Sequence, residues 1–141
     1  MAAAVATKLR HLSRAAASVE VIRMSSSEDL VCNNLMCEKV GEACVCKIAR
    51  YLEHLPQLKI LELSNNNLHT LPDTLWSVDT LTHLDLSDNL LQVLPDAVTD
   101  LSQLEYLDIS GNQIHTLPEG LMAMPSLKEL RTDVEGQSFK K

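Results

Sequence analysis

Leu58–Thr80, LKILELSNNNLHTLPDTLWSVDT, runs without a gap into Leu81–Gln103, LTHLDLSDNLLQVLPDAVTDLSQ, and then into Leu104–Ser126, LEYLDISGNQIHTLPEGLMAMPS. Each stretch is 23 residues long, and a fixed period of this size redefines the fold before any local pattern is considered. Leu61, Leu84 and Leu107 share one slot, and Leu63, Leu86 and Ile109 share another two residues on. Asn66, Asn89 and Asn112 coincide, as do Pro72, Pro95 and Pro118.

Each slot has a physical reading. The L-x-L spacing has period 2, which sends both leucines to one side of a short strand and the residues between them to the other. A coil cannot bury its apolar edge alone, so coils stack and leave a parallel sheet on one face. An Asn amide donates and accepts at once, so at a tight turn it can serve backbone groups exposed between neighbouring strands. Proline fits where no ladder donor is wanted. Of the 25 leucines in the 141-residue chain, 19 lie between residues 58 and 130, beside a single Phe and a single Trp, so the interior is aliphatic and thin.

The shared pattern, LxxLxLSxNxLxxLPxxLxxLxx, resembles the leucine-rich repeat family, in the 23-residue class that many intracellular interaction proteins carry. The resemblance covers residues 58 to 126 closely and weakens on both sides. It implies an α/β fold: a short solenoid with a curved parallel sheet on the concave face and a helical or irregular convex side. It also implies a non-enzymatic role in protein–protein interaction.

Outside the regular repeats the chain divides into three further parts. Val19–Ser25, VEVIRMS, aligns slot for slot with LKILELS, so residues 19–57 read as an irregular first repeat. Within it, Glu42–Leu55 places Val45, Ile48, Ala49, Leu52 and Leu55 at helical spacing, as for a convex-side helix. Met1–Ser18 is alanine-rich, with Lys8, Arg10 and Arg14 and no acid before Glu20. Two readings stay open there: an N-terminal helical cap using Val5, Leu9 and Leu12, or a mitochondrial presequence. Residues 127–141 are a degenerate last repeat and tail, in which Leu127 and Leu130 start a strand but Thr132 and Glu135 occupy the Leu and Asn slots. VEGQSFKK is too short and polar for a capping helix, so either that last strand is itself the cap or something else covers the end.

Charge narrows the partner. The formal net charge is -7 and the pI about 5.1, with residues 58–134 carrying 3 Lys/Arg against 12 Asp/Glu. Phosphate contacts need clustered Lys/Arg, so direct nucleic-acid contact is not expected, whereas a protein with a basic or mixed surface fits. The apolar runs fall far short of the roughly 18 to 20 residues a membrane-spanning helix requires, so no membrane span is expected. The expected location is intracellular and cytoplasmic, or mitochondrial if Met1–Ser18 is a presequence.

The chemistry-bearing side chains follow the repeat or lack a site's spacing. Cys32, Cys37, Cys44 and Cys46 are spaced C-x4-C-x6-C-x-C, unlike paired zinc knuckles, and read as reduced thiols with no metal site. His69 and His115 share a turn slot, and Ser64, Ser87 and Ser110 recur by slot, so no catalytic group is assigned. With only 4 glycines in the chain there is no phosphate-cradling loop, and no cofactor is expected.

The residues between the strand leucines are more informative, because on the sheet they form columns about 5 Å apart. One column reads Arg23, Glu62, Asp85, Asp108, Arg131; its neighbour reads Val21, Ile60, His83, Tyr106, Glu129. The candidate partner-binding residues are Arg23, Ile60, Glu62, His83, Asp85, Tyr106, Asp108 and Arg131. Stacked like charges without counter-charges cost stability, which favours a surface that receives Lys/Arg from a partner over an ordinary solvated face. Trp76 is expected to pack locally on the opposite side. The expected function is an interaction scaffold that binds through its concave face, its ends or both. The alternative is a structural subunit embedded in a large mitochondrial, ribosomal or cytoskeletal assembly, favoured by a repeat number close to the minimum for stability.

Overall fold

The structure, a computed structural model, describes residues 4–7, 19–24, 51–52, 54–134 and 139–140. Seven strands form one sheet in chain order: β1 (Ala4–Ala6), β2 (Val19–Arg23), β3 (Ile60–Glu62), β4 (His83–Asp85), β5 (Tyr106–Asp108), β6 (Glu129–Arg131) and β7 (Phe139–Lys140). All neighbouring pairs are parallel except β6 with β7. From β3 to β6 each strand is three residues long and its register advances by one repeat, with Leu61, Leu84, Leu107 and Leu130 in line.

The return path of each regular coil is a 3-10 turn: Asp73–Ser77, Asp96–Asp100 and Glu119–Leu121. A 23-residue coil leaves no length for a long convex helix, and one tight turn suffices to aim an apolar residue inward. Pro72, Pro95 and Pro118 precede these turns in extended backbone, where their missing N–H leaves nothing unsatisfied. Leu75, Val98 and Leu121 then point into the core with essentially no exposure. The core is a single cluster running from Val19 to Leu130, in which leucines predominate and Val, Ile, Met and one Trp fill the remaining places. Trp76 belongs to it and is 7% exposed, as expected of a packing residue.

Two observations hold the coils in register. Asn66, Asn89 and Asn112 each direct their amide into the backbone between coils: Asn89 Nδ2 donates to Leu63 O and Leu86 O, both at 3.0 Å, and Asn112 Nδ2 donates to Leu86 O at 2.8 Å and Ile109 O at 3.0 Å. Ahead of each sits a residue with positive φ: Asn65 at 56°, Asp88 at 54° and Gly111 at 69°. Asn, Asp and Gly are the residues that enter this left-handed region at least cost.

The ends differ from expectation at one place. The helical cap expected over Met1–Ser18 is corrected where the structure describes that segment, since Ala4–Ala6 is a strand paired parallel to β2. The outer edge of β2 carries ladder donors and acceptors that a helix could not satisfy, and that requirement outweighs the helix preference of alanine. Lys8–Ser18, with Leu9 and Leu12, lies outside the described residues. So does most of the convex helix expected over Glu42–Leu55. Its described end is consistent with it, since Tyr51–Leu52 are helical and Leu52 and Leu55 are each 4% exposed. At the other end the degenerate strand forms as β6, and the tail strand β7 runs antiparallel along its outer edge. In place of a regular ladder bond, the Asp133 carboxylate accepts the Gly111 N–H at 2.6 Å.

Candidate functional site on the concave face

Strand register assembles the two expected columns as read from the repeat. Val21, Ile60, His83, Tyr106 and Glu129 are successive partners, as are Arg23, Glu62, Asp85, Asp108 and Arg131. His83, Arg23 and Arg131 are exposed; Ile60, Glu62, Asp85 and Tyr106 are half-buried; Asp108 is buried. A cavity of about 260 Å³ opens on this face, lined by Arg23, Ile60, Glu62, His83, Asp85 and Tyr106. Of the eight expected site residues, Asp108 and Arg131 stand outside its lining.

The carboxylates are less frustrated than a bare stack of like charges. Arg23 Nε lies 3.4 Å from Glu62 Oε2. Asp85 Oδ1 accepts the Ser87 N–H at 3.0 Å and the Ser87 hydroxyl at 2.7 Å, and Asp108 Oδ1 takes the same pair from Ser110 at 3.0 and 2.6 Å. An Asp ending a strand two residues before a Ser is a local turn motif, and D-x-S at 85–87 and 108–110 is its signal in the sequence. Ser87 and Ser110, two of the three serines that recur by slot, therefore serve these turns. Arg131 does not answer Asp108 directly, since its Nε donates to Glu129 Oε2 at 2.7 Å within the same strand.

The apolar column is ordered by ring contacts. His83 and Tyr106 stack with centroids 5.8 Å apart and planes 24° apart, and the Arg131 guanidinium lies 5.9 Å from the Tyr106 centroid. Tyr106 also donates its hydroxyl to Asp108 Oδ2 at 3.3 Å. Burial, and then the adjacent Asp108 charge, push the Tyr106 hydroxyl up to about 12, against a smaller opposing pull from Arg131. The phenol is therefore a fixed neutral donor.

A third column, absent from the expected site, flanks these two. Glu20, Lys59, Thr82, Glu105 and Lys128 share a slot, and Lys59 pairs with Glu20 at 3.4 Å while Lys128 pairs with Glu105 at 2.7 Å. The hydrogen bond and charge of Lys128 hold the Glu105 carboxyl below its usual range. Opposite charges in one slot of successive coils were the signal for it.

The other candidates fall elsewhere. His54, His69 and His115 are exposed and away from the cavity. Cys32, Cys37, Cys44 and Cys46 lie outside the described residues. Among the described residues there is no group of three or more His, Cys, Asp or Glu placed to hold a metal, and no helix is long and apolar enough to cross a membrane. A second depression, about 360 Å³, lies on the flank beside Trp76, Val93 and Pro95.

Stacked 23-residue coils, an asparagine ladder and an aliphatic interior define a repeat protein. A family model described as a leucine-rich repeat region matches residues 8–140, and the chain belongs to that family. No curated protein matches the chain. Among solved structures, it is similar to a leucine-rich repeat protein of Leptospira interrogans, with a TM-score of 0.64, 20% identity, and coverage of 91% of this chain and 36% of that one. It is also similar to a chain from the Toll–Spätzle complex of Drosophila, with a TM-score of 0.61, 26% identity, and coverage of 86% of this chain and 18% of that one. The chain thus spans only about a third or less of those proteins. Members of this family are in general non-enzymatic scaffolds that bind other proteins.

Proposed function

We propose that the protein is a non-enzymatic interaction scaffold that holds a protein partner with a basic or mixed surface against its concave face. The observation that carries this reading is one cavity that Glu62 and Asp85 line beside Ile60, His83 and Tyr106, with Asp108 next to Asp85 in the carboxylate column. The carboxylates would steer and fix Lys or Arg side chains, while Ile60 and the ring pair supply contact area. No direct nucleic-acid contact belongs to this reading, because Arg23, Lys59, Lys128 and Arg131, the cations of this face among the described residues, each pair with a carboxylate.

The test is comparative affinity capture from cells with the wild-type chain and with Asp85→Lys, each checked for folding by circular dichroism. Asp108→Asn, which preserves shape at a buried position, is the second variant. Proteins held by the wild type should be lost from both. Unchanged capture by folded variants contradicts the reading. The intracellular location that accompanies it rests on resemblance to intracellular members of the 23-residue class, and imaging of a C-terminally tagged chain tests it and its mitochondrial alternative.

A second reading, a subunit locked into a larger assembly, draws support from the flank. Val93 is 71% exposed and Met122 42%, on a protein whose other large apolar side chains among the described residues are mostly covered. Aggregation of the isolated chain with rescue by a co-expressed partner would favour it; a folded monomer would favour the scaffold.

A further inference from the structure

The concave cavity measures about 260 Å³. Pockets that enclose small molecules run from roughly 300 to 1,000 Å³, so this one is sized for a single side chain offered by a partner. Its lining divides by chemistry. Ile60 and the stacked His83–Tyr106 pair form an apolar and aromatic wall, and Glu62 and Asp85 stand on adjacent strands beside it. Asp85 commits only Oδ1 to Ser87, and no described residue donates to its Oδ2. Glu62 is met by the side chain of Arg23, which is itself 55% exposed.

We propose that this cavity is a socket for one arginine side chain of the partner, whose guanidinium donates to Asp85 Oδ2 and Glu62 and lies flat on the His83 ring. The proposal rests on the concave-face reading above and names the chemistry of its central contact.

Charge complementarity selects a cation, and shape selects arginine over lysine. The planar guanidinium spreads its donors in a fork, which can address carboxylates on neighbouring strands about 5 Å apart. It also stacks on aromatic faces, whereas a lysine ammonium is a compact, strongly hydrated point charge. The molecule already makes this contact one strand further on, where Arg131 lies over Tyr106. An arginine against His83 would extend the same stack on its other side, with its aliphatic stem along Ile60. Arg23 then acts as a competitor, because it repels the incoming cation and occupies Glu62.

The test titrates N-acetyl-arginine methylamide and its lysine counterpart into the full chain, following the His83 and Tyr106 ring resonances by NMR. The arginine probe should shift both rings saturably, at least about threefold more tightly than the lysine probe, the scale of an exposed cation–π contact. Asp85→Asn should weaken it and Arg23→Gln should tighten it. Equal response to the two probes, no saturable shift, or weaker binding by Arg23→Gln overturns the socket. Should Asp85→Asn fail to fold, the sign of the Arg23→Gln effect decides alone. Partner capture that depends on Asp108 in a chain that ignores the arginine probe would sink the socket and leave the scaffold reading standing. A chain that binds the probe as described, while capture is indifferent to concave variants, would support the socket and sink the scaffold reading.

Discussion

The side-chain oxygen of Asn89 accepts the backbone N–H of Asn66 at 3.0 Å, so a residue in one coil closes the turn of the coil before it. The same oxygen accepts the Leu68 N–H at 3.1 Å, and the amide nitrogen of Asn89 donates to Leu63 O and Leu86 O. At 3% exposure, none of these groups has water as a substitute. Repeat-to-repeat cohesion is therefore partly polar, although the composition advertises leucine.

Replacing Asn89 with Ala should cost about 2–4 kcal/mol, the scale of several buried backbone groups losing their partners at once. Asn89→Asp should cost nearly as much, because a carboxylate cannot donate to the Leu63 and Leu86 carbonyls. Asn112→Ala, at a half-buried position, should cost less. Urea denaturation of the three variants checks the order.

Leu84 is fully buried between β3 and β5, whereas Val93 is 71% exposed on the flank. Leu84→Ala should lower stability by about 2–5 kcal/mol through lost burial and the cavity it leaves. Val93→Thr should fall within about 0.5 kcal/mol of wild type. Thermal melts of both variants, compared at one concentration, read the contrast.

Gly111 adopts φ 69°, and a Cβ there would run into the Asp88 carboxylate of the preceding coil. Gly111→Ala should destabilise by at least about 1–2 kcal/mol, the cost of left-handed backbone for an L residue. Adding Asp88→Gly should relieve the clash and recover only part of the loss, since the backbone cost remains. Chemical denaturation of the single and double variants separates the two components.

Tyr106 sets an alkaline dependence. Its hydroxyl is raised to about 12 in the fold from an ordinary value of 10, so the folded state holds its proton longer than the unfolded chain does. The associated stability is fully present below pH 10 and is lost as pH rises towards 12. Comparing wild type with Tyr106→Phe isolates this: the stability difference between them should change through that window and be flat below it. A difference that is constant from pH 8 to 12 would show that Tyr106 titrates alike in both states.

The period made the middle of the molecule legible. Once Leu61, Leu84 and Leu107 share a slot, the strands, their register and both outward columns follow from alternation alone. Residue-level electrostatics were less legible, because they depend on neighbours the period does not name. The period presents Asp85 and Asp108 as unpaired charges, whereas Ser87 and Ser110 serve them, and Arg131 turns to Glu129 on its own strand rather than to Asp108. The N-terminus misled for a different reason. Alanine-rich sequence favours helix locally, but Ala4–Ala6 lies beside the edge of β2, and a long-range backbone requirement prevails there.

Partner binding through the concave carboxylates is decided by calorimetric titration of a captured partner into wild type, Asp85→Lys and Asp108→Asn. An Asp100→Lys variant, exposed in the 3-10 turn and off the columns, controls for net charge. Binding through this face should weaken about tenfold or more in Asp85→Lys, weaken clearly in Asp108→Asn, and change little in Asp100→Lys. Equal affinities for wild type and both concave variants, with melting temperatures unchanged, would contradict it.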